Sequence, residues 1–172
     1  MDATPVIRRA TEADLEAMNR IYNREVREGV ATWELDEWPD AQRLAWFRAR
    51  TDDEPVLVAE AGGVLAGFGY LSKYRGRRGY RFTRENTVFV DVPWQRRGVG
   101  RLVLTALIDA ARDIGMRSLL AFIDRENTGS IELHRALGYG QVGTEFETGH
   151  KFGTWRSSVE LQLLLDRPEV AD

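Results

Sequence analysis

The 172-residue sequence predicts an α/β (α+β) fold, a mixed and mostly antiparallel sheet flanked by helices, in one domain over residues 1–172. Three observations carry that expectation. Segments of strand character alternate with segments of helical period in the order β α α β β β α β α β β. Hydrophobic residues make up 43% of the chain, enough for a core at this length. Near the middle, a strand runs through a basic, glycine-containing loop straight into a long amphipathic helix. Repeats, low-complexity segments and linkers are missing from the sequence.

Composition narrows the function. A net charge of −3 argues against a surface built for nucleic acid. With no cysteine there is no disulfide, no thiolate metal ligand and no cysteine nucleophile. Two histidines, His134 and His150, make a zinc centre a poor fit, so no metal is expected. No apolar run approaches the roughly 18 residues of a membrane span, and the N-terminus lacks a signal pattern. A cytoplasmic protein without membrane or nucleic-acid partners is expected.

Taken in order, Val6–Arg9 reads as a short strand. Thr11 and Asp14 form a capping box ahead of a helix on which Leu15, Met18, Ile21, Tyr22 and Val26 share one face; Gly29 stops it. Residues 30–35 are a loop or short extended piece. Trp33 and Trp38 are packing residues or walls of a small-molecule site, with packing favoured. Pro39 suits a second helix start. Val56–Glu60 and Val64–Lys73 are strands joined by a Gly62-Gly63 hairpin turn; Gly67 and Gly69 suggest a bulge or a close approach. Lys73–Arg81 is a basic, glycine-rich loop. Phe82–Val92 is a strand ended by Pro93. Gly98 and Gly100 precede a helix, read from Arg101 onward, that buries Val103, Leu104, Leu107, Ile108, Ala111 and Ile114; Gly115 ends it. Ser118–Ile123 is a buried strand. Asn127 or Thr128 caps the helix of Ile131, Leu133, His134 and Leu137. Gln141–Glu147 and Thr154–Leu165 are strands around a loop at Gly149–Trp155, and the tail, residues 167–172, is expected to fray.

The loop before the central helix carries the chemistry. A helix start offers unpaired N–H groups and a positive dipole end, and Arg96, Arg97 and Arg101 add charge suited to phosphate. It is neither a P-loop nor a dinucleotide fingerprint, since Gly-Lys-Ser/Thr is missing and Val103 stands where a third glycine is required. Gln95-x-x-Gly98-x-Gly100 instead resembles the pyrophosphate loop of the GCN5-related N-acetyltransferases (GNAT), and the element order resembles theirs over nearly the whole chain. The resemblance narrows to the phosphinothricin and methionine sulfoximine acetyltransferase branch. Its carriers are Glu85-x-Thr87-Val88-Phe89-Val90, Asn127-x-x-Ser130-Ile131-x-Leu133-His134 and Lys151-Phe152-Gly153-x-Trp155, with Ala31-Thr32-Trp33 and Ala45-Trp46-Phe47 in support.

What the resemblance implies is an acetyl-CoA-dependent N-acetyltransferase that acts by direct transfer in a ternary complex on the amine of a small amino-acid-like acceptor, of the phosphinothricin, methionine sulfoximine or methionine sulfone type, as a homodimer. It assigns cofactor binding to Val88, Phe89 and Val90 on the strand, to Gln95, Arg96, Arg97, Gly98, Val99, Gly100 and Arg101 in the loop, and to Asn127 and Ser130. An N–H near Val90 would face the thioester oxygen. Glu85 is the candidate base, because an ammonium must lose a proton before it can attack. His134 is the second candidate catalytic residue, against a structural alternative of equal standing. Trp33, Tyr74, Arg75, Glu85, Asn86, Thr87, Lys151, Phe152 and Trp155 are the candidate acceptor-binding residues. Three departures from the branch, Arg84, Asn86 and the Tyr74-Arg75-Gly76 run, sit near the expected acceptor site. The rival readings are another amine or a protein N-terminus as acceptor, and a non-catalytic acyl-CoA-binding module that needs no base.

Overall fold

The computed structural model describes residues 4–166; the expected fraying of 167–172 lies outside them. Seven strands form one sheet: β1 Val6–Arg9, β2 Val56–Ala61, β3 Val64–Lys73, β4 Thr83–Val90, β5 Ser118–Asp124, β6 Gly140–Lys151 and β7 Thr154–Leu164, in the spatial order β1-β2-β3-β4-β5-β7-β6. All pairs are antiparallel except β4 with β5. The helices are α1 Leu15–Glu28, α2 Asp40–Arg48, α3 Val99–Asp113 and α4 Thr128–Ala136.

Each face of the sheet has its own core. On one, α1 places Leu15, Met18, Ile21, Tyr22 and Val26 on Val56, Val58, Phe68 and Phe89. On the other, Val103, Leu104, Leu107 and Ala111 of α3 pack on β2, β3 and β5. The expectation for Gly69 holds in its second form: a Cβ there would sit 2.8 Å from both Leu107 and Val103, so glycine lets α3 lie close on the sheet. The bulge falls one residue before Gly67, at Ala66, between the pairs Ala59–Gly67 and Glu60–Leu65. Gly62 and Gly63 turn with positive φ of 58° and 80°, as a tight hairpin requires. Trp38 is a packing residue: Arg43, 1% exposed, lies with its guanidinium 4.3 Å from the Trp38 ring centroid and 4.4 Å from that of Tyr22.

Several boundaries differ from the sequence reading. Strand β4 stops at Val90, not Val92, because the Asp91 carboxylate accepts from the Val92 N–H at 2.9 Å and starts a short 3-10 turn over Val92–Trp94. Helix α3 begins at Val99 rather than Arg101, capped by Gly98 in the left-handed region (φ 84°). The stretch Gly149–Lys151, read as loop, belongs to β6, and only Phe152 and Gly153 form the turn. Residues 146–148 oppose the single Ser157 in a wide bulge, which breaks the alternation that marks a strand in sequence.

Candidate active site

Strands β4 and β5 pair as neighbours at three positions only, Thr83–Ser118, Arg84–Leu119 and Glu85–Leu120. Beyond Glu85 they part, although β4 continues to Val90 and β5 to Asp124. The parting leaves backbone edges of both strands without a ladder partner, and buried edges of that kind demand one. A cleft of about 1230 Å³ runs along the opening.

At one end the cleft meets the loop into α3. Gln95, Arg96, Gly98, Gly100 and Arg101 line it. Arg96 holds a left-handed backbone (φ 60°), as does Gly98 two residues on; for the arginine this costs roughly 1–2 kcal/mol. The first turn of α3 leaves N–H groups without intrahelical partners beside this loop, an arrangement suited to phosphate oxygens. Nothing lies within 4 Å of where a Gly98 Cβ would project, so that flank is open to a ligand. The start of α4 faces the same region: Asn127 caps it by accepting from the Ser130 N–H at 3.2 Å, and both line the cleft. Two expected cofactor residues are placed differently. Arg97 lies over the Trp94 ring rather than in the cleft lining, and the Val99 side chain is core, 1% exposed, leaving only its backbone to contribute.

The middle of the cleft is the free edge of β4. Glu85, Asn86, Thr87, Val88, Phe89 and Val90 all line it. Glu85 sits at the parting itself. Burial raises its carboxyl above the ordinary carboxylate range, and among the described residues none donates to it or pairs with it. Arg84 is no partner, since its guanidinium is buried on the other side, held by Asp53 and the Arg81 and Thr83 carbonyls. A half-buried, unpaired carboxylate beside a cleft is suited to the work of a proton acceptor. His134 also reaches the cleft, but both ring nitrogens are engaged: Nε2 is 2.8 Å from Asn86 Nδ2 and Nδ1 is 2.8 Å from the Ser130 carbonyl.

Away from the loop the cleft is acidic. Glu25, Glu85, Glu126 and Glu145 line it, with Tyr22 and Tyr70, and the arginines of the cleft lining, Arg96 and Arg101, are both at the loop end. Trp33 is a wall of this end, its Nε1–H donating to Asp124 at 2.8 Å. Asp124, 5% exposed, also accepts from Arg156 at 2.7 and 2.8 Å. Burial alone would raise its pKa, but Arg156, the Glu126 N–H and Trp33 outweigh that and hold it below the usual range.

The expected acceptor contact through Lys151 is corrected. Lys151 is 2% exposed and its Nζ donates to the carbonyls of Glu25, at 3.0 Å, and Thr32, at 2.7 Å. It thereby closes the last turn of α1 onto the Trp33 loop, and Gly149 leaves room for the Trp33 ring. Tyr74, Arg75, Phe152 and Trp155 are likewise absent from the cleft lining of this chain. Tyr74 stacks on the outside of Phe122 with 11° between the rings, Arg75 lies over Tyr74 and Tyr80, and Phe152 and Trp155 are exposed. Sequence reasoning missed Tyr22, Glu25, Tyr70, Asp124, Glu145 and Arg156. Of these only the first has a local signal, its place on the apolar face of α1.

Known proteins are similar to this chain in sequence and in fold. A sequence model of the acetyltransferase (GNAT) family matches residues 15–139. The L-amino acid N-acyltransferase MnaT of Escherichia coli is 41% identical over 168 residues, covering 96% of this chain and 97% of that protein. The L-methionine sulfoximine/L-methionine sulfone acetyltransferase of Salmonella typhimurium is 38% identical, covering 96% and 98%. An acetyltransferase of Salmonella typhimurium solved with its cofactor acetyl-CoA superposes with a TM-score of 0.94 at 37% identity over 99% of both chains. The parted strands, the glycine loop and these full-length similarities lead to one conclusion: the chain belongs to the acetyltransferase (GNAT) family.

Proposed function

We propose that this N-acetyltransferase moves acetyl from acetyl-CoA to the α-amine of a small amino-acid-like acceptor, of the methionine sulfoximine, methionine sulfone or phosphinothricin type. The observation that carries the reading is Glu85, an unpaired carboxylate half-buried where β4 and β5 part. The residues fit the co-substrate. The α3 loop supplies N–H groups for the pyrophosphate, and the free edge of β4 supplies N–H and C=O groups for the pantetheine amides.

In this reading the acidic end draws in the acceptor ammonium. Glu85 accepts its proton, directly or through one water, and frees the lone pair. The amine nitrogen then bonds the thioester carbon, the C–S bond breaks, the thiolate leaves with its electron pair, and the second proton of the amine passes to it through solvent. An N–H near Val90 stabilises the oxygen as it gains charge. The remaining lining of the acceptor end, Trp33, Tyr70 and Thr87, sets its size.

The same reading includes a cytoplasmic location and a homodimer. Supporting the dimer, Phe146 of β6, Phe152 of the turn and Trp155 of β7 are large apolar side chains left exposed. The test is thiol release from acetyl-CoA with methionine sulfone, phosphinothricin, the standard amino acids and polyamines. Saturable release with the first two is expected. Binding of acetyl-CoA without release by any acceptor would favour the non-catalytic module.

A further inference from the structure

We propose that His134 is a positioning residue rather than a proton donor, one part of a neutral hydrogen-bonded wedge, Tyr139–Asn86–His134–Ser130, that registers the free edge of β4 against α4. The inference rests on the acetyl-transfer reading above.

The directions of the bonds follow from donor and acceptor chemistry. The Ser130 carbonyl can only accept, so His134 Nδ1 carries a hydrogen and donates to it at 2.8 Å. The Tyr139 hydroxyl donates to Asn86 Oδ1 at 2.8 Å, which directs the amide nitrogen of Asn86 toward His134 Nε2, also at 2.8 Å. That nitrogen donates, so Nε2 accepts and the ring is neutral, as the Nδ1–H tautomer. Every one of these groups is then satisfied, as burial requires; Asn86, His134 and Tyr139 are 5%, 3% and 4% exposed. A charged ring would set Nε2–H against the Asn86 N–H, and burial independently favours the neutral form. With Nε2 filled and Nδ1–H spent on Ser130, no proton is left to hand to a departing thiolate.

The location gives the wedge its task. Asn86 is the first residue past the last β4–β5 pair, where the cleft begins. His134 lies one turn beyond Ser130, whose helix start faces the phosphate end of the cleft. The three side chains therefore set the spacing between the strand edge and the helix start between which acetyl-CoA lies. Edge-to-face packing of His134 on Tyr139, with centroids 5.0 Å apart, holds the imidazole plane.

The experiment combines acetyl-CoA calorimetry with the pH dependence of kcat for His134→Ala, His134→Gln, Asn86→Ala, the Asn86→Ala/His134→Ala double variant and Tyr139→Phe. A Gln oxygen can stand where Nε2 stands and accept from Asn86, but it cannot serve as an acid. Expected are about tenfold weaker acetyl-CoA binding in each single alanine variant, no further loss in the double variant, and recovery to within about threefold in His134→Gln with the kcat–pH limbs of the wild type. Tyr139→Phe and His134→Gln keep the packing volume, so the outcome is readable even where an alanine variant fails to fold. His134→Gln with wild-type acetyl-CoA binding but a lost alkaline limb or abolished kcat would overturn the proposal and restore His134 as the acid. No acetyl-CoA binding by the wild-type protein would overturn the function reading itself.

Discussion

Two regions of the cleft are built by opposite physics. Below the β4 edge, Tyr139, Asn86, His134 and the Ser130 carbonyl form a neutral network in which no member needs a charge. At the Trp33 wall of the cleft, Trp33, Asp124 and Arg156 form an ionic latch, with the Lys151 ammonium buried beside it against two carbonyls. A neutral network holds geometry without adding potential to the reacting centre. The latch ties the Trp33 loop to the end of β5 strongly, but only while Asp124 is ionised. Among the described residues Glu85 has neither a neutral partner nor a cation, which is what the proposed base requires.

The comparison can be broken from either side. The largest effect is expected at the latch. Asp124→Ala strands the buried Arg156 cation, already partly met by Glu126, and should cost about 3 kcal/mol in urea unfolding; adding Arg156→Leu should recover part of it. Next, Glu85→Gln should lower kcat by about 10²-fold while leaving acetyl-CoA affinity unchanged. The same variant should melt higher than wild type at pH 8. A carboxyl whose folded pKa is raised costs stability wherever it is ionised, so this gain disappears once the pH falls below the unfolded value of about 4.3.

The pH dependence of stability separates the two regions further. Asp124 has a lowered folded pKa, so its contribution is full above its unfolded value of about 3.9 and is lost as pH falls through the folded one. His134 also has a lowered folded pKa, with burial as the main cause. For a base the unfolded chain then binds the proton first, and stability falls as pH drops below about 6.5. His134→Gln should flatten the Tm profile between pH 6.5 and 5, and Asp124→Asn should flatten it only below pH 4. Equal profiles for the two variants would erase the distinction. The smallest effect is expected for Tyr139→Phe, about 1 kcal/mol, since one neutral hydrogen bond is lost and the ring packing stays.

Legibility from sequence followed the same division. Asn127, Gly98 and Gly100 were readable because each acts within its own turn, as a cap or a tight approach. Glu85 was readable as a candidate through the residues beside it, although its isolation from Arg84 was not. His134 was placed near the cofactor, but its role depends on a bond to Asn86, 48 residues away. Lys151 was misassigned because its partners lie 126 and 119 residues earlier in the chain. The bulge at 146–148 hid the end of β6, since its three residues oppose a single residue of a different strand.

By itself the sequence determined the order of elements, the unit in which a strand runs through a glycine loop into a helix, and the family to which these belong. Periodicity, caps and glycine turns act over one or two turns of chain, and that range is visible in a linear text. The tertiary structure alone decided how far β4 pairs with β5, which carboxylate stays unpaired, and which way each hydrogen bond of His134 points. Those outcomes depend on groups dozens of residues apart meeting in a buried space, where every donor must find an acceptor and every charge a partner.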